Sequence, residues 1–215
     1  LYLCQEFICH NPGRIPSPAE WVTIRRIRVK DSYTKIWWMS KTPYPKANNK
    51  NILAEYSTSM RNKFKNNDVH TGLRPSGHKV TDGFKKNNGG SISPNFLDFD
   101  GQDFLFDVGE NSLSIPNSNN QLVYNSFCKQ NGLLGHPARM QIQLTEYFIR
   151  FLTEKNDIIY DPFSGSNTSG MVAQELKRRW ISSEKNINYI KGSLIRFYSE
   201  NKSKNIIKRM AEKSL

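Results

Sequence analysis

The sequence has 215 residues, and its 31 Lys and Arg outnumber 19 Asp and Glu to leave a formal charge of +12 at neutral pH. Such a surplus calls for a polyanionic partner, nucleic acid first and a membrane surface as the alternative. No apolar run approaches the roughly 18 residues of a spanning helix, and no signal peptide opens the chain. The three cysteines, Cys4, Cys9 and Cys128, fit neither a disulfide framework nor a zinc-finger spacing. A cytoplasmic protein with reduced thiols is therefore expected, with a core of about one to one and a half domains. Because Leu1 rather than Met comes first, the chain is expected to be a piece of a longer protein.

In chain order, Phe7-Ile8-Cys9-His10 is a predicted strand, stopped by Asn11-Pro12-Gly13. Pro16 and Pro18 place the next stretch in a loop. The basic run from Trp21 to Lys30 reads as a solvated face. Tyr33 to Ser40 is β-branched and aromatic, a strong strand whose aromatics are expected in the core. From Thr58 to Gly90, Arg61, Lys63, Lys65, Arg74, Lys79, Lys85 and Lys86 stand against Asp68 and Asp82. Asn, Gly, Ser and His fill the gaps with little periodicity, so a loop-rich region is expected. That mixture suits DNA, because Lys and Arg hold phosphates while Asn and Arg read base edges. A flexible basic insertion is the plainer alternative. Asn87-Asn88-Gly89-Gly90 can bring backbone close to another polymer. Residues 91–128 carry Asp98, Asp100, Asp103, Asp107 and Glu110 and no basic residue. They are expected to face away from phosphates, and they hold no nuclease-type metal cluster.

Periodicity returns at residues 136–155. His136-Pro137-Ala138-Arg139 precedes Leu144, Phe148, Phe151 and Leu152 at helical spacing, with Tyr147 beside them. Ile158-Ile159-Tyr160 then reads as a buried strand ending at Asp161 and stopped by Pro162. Phe163-Ser164-Gly165-Ser166 is a tight turn in which Gly165 takes positive φ or lets a ligand approach. Ser166, Asn167 and Thr168 are all good N-caps. Met171, Val172, Ala173 and Leu176 form a helical stripe to about Arg178. Trp180 to Ser183 is a second strand ending in Glu184.

This strand–turn–helix–strand unit is the first half of a nucleotide-binding α/β fold. Its ligands lie beyond the carboxyl ends of the strands, with an acidic residue about 20 positions on as ribose acceptor. A dinucleotide would need a turn richer in glycine, with free N–H groups. One glycine beside strand-end carboxylates suits a nucleoside bearing positive charge, such as S-adenosyl-L-methionine. After Glu184 a helix continues through Ile187, Tyr189, Ile190, Leu194 and Ile195 to Phe197-Tyr198. Residues 200–215 read as a basic, solvated terminal helix.

The string Asp161-Pro162-Phe163-Ser164-Gly165-Ser166-Asn167-Thr168 resembles the cofactor motif of the DNA amino-methyltransferases, which methylate cytosine N4 or adenine N6, mostly in restriction–modification systems. Glu6 to Pro12, Pro16-Ser17-Pro18, Lys30 to Tyr33, Trp37 to Lys41 and Pro45 to Asn49 are similar to the stretch after the catalytic motif of the cytosine-N4 enzymes. The resemblance implies a Rossmann-like methyltransferase sheet, partial and in circularly permuted order, with an inserted loop-rich target-recognition region. Residues 1–57 would be late strands of the catalytic sheet, 58–132 the recognition region and 133–215 the cofactor half. S-adenosyl-L-methionine would sit against Asp161 to Thr168, with Glu184 on its ribose and His136 and Arg139 near its methionine end.

The partners implied are double-stranded DNA with a flipped target base and, functionally, a restriction endonuclease. In this family a Ser/Asp/Asn-Pro-Pro-aromatic tetrad draws on the protons of the extruded base's amine. No such tetrad occurs here: Thr42-Pro43-Tyr44-Pro45 has the wrong order, and Asp161-Pro162-Phe163 has one proline. It is expected before Leu1 or on a separate chain. The alternative readings are a non-catalytic DNA-binding or specificity module, half of a split enzyme, and an adenine-N6 enzyme.

Overall fold

The first organising strand is β1 (Tyr2–His10), in the middle of a three-stranded sheet. β2 (Tyr33–Ser40) runs antiparallel on one side of it, with Phe7 opposite Ile36. β5 (Phe96–Asp98) runs parallel on the other, with Cys9 opposite Leu97. The structure is a computed structural model describing residues 1–11, 13–66, 71–98 and 117–212. The chain divides into two compact units, Leu1–Ser112 and Leu113–Leu215.

In the first unit Phe7 and Cys9, two apart on one face of β1, are buried along with Ile52 and Leu97. His10 Nδ1 lies 3.2 Å from Asp98 Oδ2 at the end of the parallel pair, so that acid has a basic neighbour. The other four acidic residues of 91–128 lie outside the described residues. The aromatics of β2 depart from expectation: Trp37 is 64% exposed. β2 is an edge strand, and alternation turns Trp37 outward, where its indole N–H donates to Glu6 Oε2 (3.0 Å). Trp21 forms part of a short π-helical turn, Glu20–Ile24, with the Arg25 and Arg28 guanidinium groups over its ring at 4.9 and 5.1 Å. Among the described residues of 58–98, the regular elements are α1 (Thr58–Lys65), a two-residue hairpin of β3 (Gly72–Leu73) and β4 (Lys79–Val80), a 3-10 turn at Asp82–Lys85, and β5. Ser57 starts α1 by accepting the Met60 N–H, the kind of N-cap that offsets a weakly helical start such as Thr58-Ser59.

The second unit opens with α2 (Asn117–Gln130), a helix in a stretch read as loop-rich. α3 (Ile142–Leu152) follows, then β6 (Ile158–Asp161), α4 (Thr168–Glu175) and β7 (Arg179–Ser182). β6 and β7 are parallel, with Ile159 opposite Trp180 and Asp161 opposite Ser182. Helix α5 (Ile187–Ser193) gives way to a 3-10 turn at Leu194–Arg196 rather than running on to Tyr198, and α6 (Glu200–Glu212) closes the described chain.

Ile142 and Ile149 of α3 meet Met171, Val172 and Ala173 of α4 and Leu176 in one cluster, with Ile159, Trp180 and Phe197 packed against it. Helices cover only one face of the β6–β7 pair, so Ile158 and Tyr160 are 54% and 62% exposed. β6 is thus half-buried in this unit, not buried on both faces as its apolar run suggested. Arg178 ties the layers together by donating to the carbonyls of Leu176 and Thr153, both at 2.7 Å. Those are helix-end carbonyls with no partner of their own within the helix.

α3 also buries charge. Arg150 Nε donates to Glu146 Oε1 at 2.7 Å, and both side chains are about a tenth exposed (9% and 11%). Removing one partner of such a pair deprives the other buried charge of its nearest counter-charge. Glu146→Ala should therefore lower the unfolding free energy by on the order of 3 kcal/mol, seen as a lower urea midpoint with unchanged slope.

Candidate functional site at the β6–α4 turn

The carboxyl ends of β6 and β7 are joined by a lattice of backbone bonds. Ser183 N donates to Asp161 O and Ser164 N to Ser183 O, both at 3.0 Å. The Asp161 carboxylate turns back to accept Phe163 N–H at 3.0 Å, which leaves the Phe163 ring 88% exposed beside the exposed Pro162. Gly165 has φ +53°, the left-handed region. A Cβ there would also stand 2.9 Å from the His136 ring. Two independent constraints thus require glycine: backbone hand and the close approach of an imidazole.

Asn167 is left-handed too, at φ 54°. Its side chain accepts Gly170 N–H and donates to Ser182 Oγ, each at 3.0 Å, which caps α4 and fastens it to β7. Ser166, Asn167 and Thr168 are almost wholly buried. Their side chains hold the turn's shape, and what this stretch offers outward is backbone together with Asp161, Pro162, Phe163 and Ser164.

Glu184, beyond β7, completes the turn. Oε2 accepts Gly165 N–H and Oε1 accepts Asn186 N–H, both at 2.8 Å. The Asn186 N–H, with those of Gly165 and Lys185 and the nearby His136, holds this carboxyl below its ordinary pKa against the effect of desolvation. The group is an anion at neutral pH, and each oxygen keeps a lone pair for a further donor such as a hydroxyl. A cavity of about 270 Å³ opens beside it, with Ser164, Asn167, Ser182, Trp180 and Phe197 among its walls.

His136 and Arg139 do not line that cavity. The structure brings His136 onto the turn, its ring against Gly165 and edge-on to Tyr189 at 4.7 Å. His136 N–H donates to the Tyr124 hydroxyl at 3.0 Å. Arg139 is one ring removed, its guanidinium 5.7 Å from the Tyr124 centroid and bonded to Asn125 Oδ1. Arg196 lies 5.0 Å from the same ring and donates to Ser166 Oγ at 3.4 Å.

Tyr124, Tyr189 and Arg196 were not singled out from the sequence. Tyr124 stands in a segment read as loop, far along the chain from the turn. Arg196 did leave a signal, as a lone cation among Leu194, Ile195 and Phe197.

A family model described as DNA methylase (N6_N4_Mtase) matches residues 1–195. The chain belongs to this family. The type II methyltransferase M.PvuII of Proteus hauseri is 42% identical over 202 residues, 93% of this chain and 55% of its own length. The type II methyltransferase M2.DpnII of Streptococcus pneumoniae is 38% identical over 68 residues, 32% of this chain and 25% of its own. A solved structure of the cytosine-N4-specific PvuII DNA methyltransferase superposes with a TM-score of 0.64 and 34% identity, over 97% of this chain and 57% of that one. This DNA methylase chain thus spans little more than half the length of M.PvuII.

The basic residues expected to meet DNA are all exposed and lie in the first unit. Arg61, Lys63 and Lys65 are on α1, and Arg61 pairs with Glu55 at 3.2 Å. Arg74 is at the hairpin turn and Lys79 on β4, while Lys85 and Lys86 belong to and follow a 3-10 turn. A groove of about 720 Å³ runs beside α1, lined in part by Tyr56, Met60, Phe64, Lys86 and Asn88. Gly90 approaches its own chain rather than another polymer: a Cβ there would lie 2.6 Å from the Ala54 carbonyl, in a bridge between Ala54 and Ser91. No helix among the described residues is long and apolar enough to cross a membrane.

Because the folded-state pKa of Glu184 is depressed, its stabilisation is complete above the unfolded carboxylate value. It is lost as pH falls through the lower folded value. The stability gap between the protein and Glu184→Gln should hold from neutral pH to about pH 5 and shrink in more acid solution. Urea titrations across pH would show this, and a gap that widened with acid would contradict it.

Proposed function

We propose that the protein is the cofactor-holding and DNA-holding portion of a DNA amino-methyltransferase that transfers a methyl group from S-adenosyl-L-methionine to cytosine N4 in double-stranded DNA. The observation that carries this reading is the ionised Glu184 carboxylate. It is anchored by Gly165 N–H at the carboxyl ends of two parallel strands, where α/β sheets bind nucleosides and an acid accepts ribose hydroxyls. The cofactor supplies an electrophilic methyl on a sulfonium. Asp161 to Thr168 shape the turn beneath it, and His136 and Arg139 approach its methionine end. The cytosine preference draws support from the similarity to the cytosine-N4-specific PvuII enzyme, and pairing with a restriction endonuclease from the type II names of M.PvuII and M2.DpnII.

In this reading the order is permuted. Residues 1–57 belong to the catalytic sheet, 58–132 to target recognition and 133–215 to the cofactor half. These 215 residues contain no Pro-Pro pair, so the tetrad that holds the flipped base comes from protein beyond them, upstream or as a separate chain. The absence of that tetrad also favours a second reading, a DNA-binding specificity module with no methyl transfer of its own. Calorimetry with S-adenosyl-L-methionine separates the two. Binding that Glu184→Ala weakens by about 1–3 kcal/mol, the cost of removing a charged hydrogen-bond partner, supports the first. No binding to the folded chain supports the second.

On either reading, DNA affinity should fall steeply with salt, by roughly 0.9 log units per phosphate contact for each log unit of salt. A flat profile would remove Arg61, Lys63, Lys65, Arg74, Lys79, Lys85 and Lys86 from the DNA surface.

A further inference from the structure

Tyr124 belongs to α2, outside every motif that marks the cofactor turn, yet it is fully buried at the centre of that turn's support. Its hydroxyl accepts His136 N–H at 3.0 Å and meets the Cys128 thiol. Its ring lies under two guanidinium groups, Arg196 at 5.0 Å and Arg139 at 5.7 Å. The contacts close a circuit. Tyr124 holds the His136 backbone, the His136 ring lies on Gly165, Gly165 leads into Ser166, and Ser166 Oγ accepts from Arg196, which returns to the Tyr124 ring.

The charges in this circuit are not balanced. No carboxylate among the described residues pairs with Arg139 or Arg196, and Arg196 is buried enough that desolvation lowers its pKa. Arg139 Nε, Arg196 Nε and His136 Nδ1 are buried without a hydrogen-bond partner among the described residues. An aromatic face seats a cation without neutralising it. Both side chains are partly exposed, so an anion brought in by a ligand can reach them, and a partly desolvated cation without a counter-charge suits such an anion. The support of the turn therefore includes a fixed carboxylate, Glu184, bonded to Gly165 N–H, and two guanidinium groups over the Tyr124 ring, of which Arg196 reaches the turn at Ser166. That pattern complements a nucleoside whose hydroxyls meet Glu184 and whose amino-acid carboxylate meets the guanidinium groups.

We infer that Tyr124 is a positioning residue for the amino-acid end of the cofactor, setting the place of His136, Arg139 and Arg196 from a helix outside the cofactor motif. This rests on the cofactor reading proposed above, and the test separates the two. Calorimetry would compare S-adenosylhomocysteine with 5′-methylthioadenosine, which shares its nucleoside and sulfur but has no amino-acid carboxylate.

Tyr124→Phe keeps the ring and removes the hydroxyl. It should weaken S-adenosylhomocysteine by about tenfold, as for one lost hydrogen bond, and leave methylthioadenosine within about twofold. Tyr124→Leu, which removes the seat of both cations, should widen the same selective loss, with folding checked by circular dichroism. Equal weakening of both ligands would show a merely structural tyrosine and overturn the inference, as would unchanged affinity for both. A wild-type chain that binds neither ligand would overturn the cofactor reading itself, and this inference with it.

Discussion

The hydrogen bond from Gly165 N–H to the Glu184 carboxylate is the constraint on which the cofactor turn depends. It links the loop after β6 to the residue after β7, 19 positions away in sequence. For the bond to form, residue 165 must adopt positive φ and must lack a Cβ, because the His136 ring occupies that space. Asn167, also left-handed, then starts α4 and binds Ser182 with one amide side chain. The left-handed conformation is open to Gly165 but unfavourable in isolation for Asn167. Both are held because each places a donor on an acceptor.

Beneath the turn the physics changes from hydrogen bonding to packing. Val172 and Ala173 are fully buried, and α4 is held between α3 and the sheet by that contact. Burying an aliphatic side chain of this kind contributes about 1.5–3 kcal/mol, so the helix is a firm base for the loop that begins it. The cations lie where the two regimes meet. Arg178 satisfies helix-end carbonyls, Arg150 is paired within α3, and Arg139 and Arg196 share an aromatic ring. Arg150 has a carboxylate partner, whereas among the described residues Arg139 and Arg196 bond only neutral side chains, Arg139 that of Asn125 and Arg196 those of Ser166 and Met171.

Much of the second unit was legible because its elements are short-range. The apolar run at 158–160, the glycine and capping residues at 165–168 and the stripe at 171–176 each encode a strand, a turn or a helix through local periodicity and propensity. β2 was legible for the same reason, with both ends matching its β-branched and aromatic run. The helical character of α1 and α2 was not, because asparagine and serine favour local side-chain bonds over helix. α1 has its Ser57 cap to start it, and α2 buries Tyr124, Phe127 and Cys128. The degree of burial was misjudged wherever an apolar strand has one covered face, as at Ile158, Tyr160 and Trp37. An apolar residue specifies what it would tolerate, and the neighbouring layers decide what it receives.

The sequence by itself determined the order of strand, turn, helix and strand, the glycine at the turn and the acid that follows, because each is written within a few residues or at a fixed distance along the chain. Only the tertiary structure decided that His136 lies against Gly165 and that Glu184 spends one oxygen on the turn's own N–H. It alone placed Tyr124 beneath both Arg139 and Arg196. These contacts join residues 15 to 72 positions apart. No local pattern encodes them, since they arise when burial of the α3–α4 core brings distant segments together and the buried polar groups must then find partners.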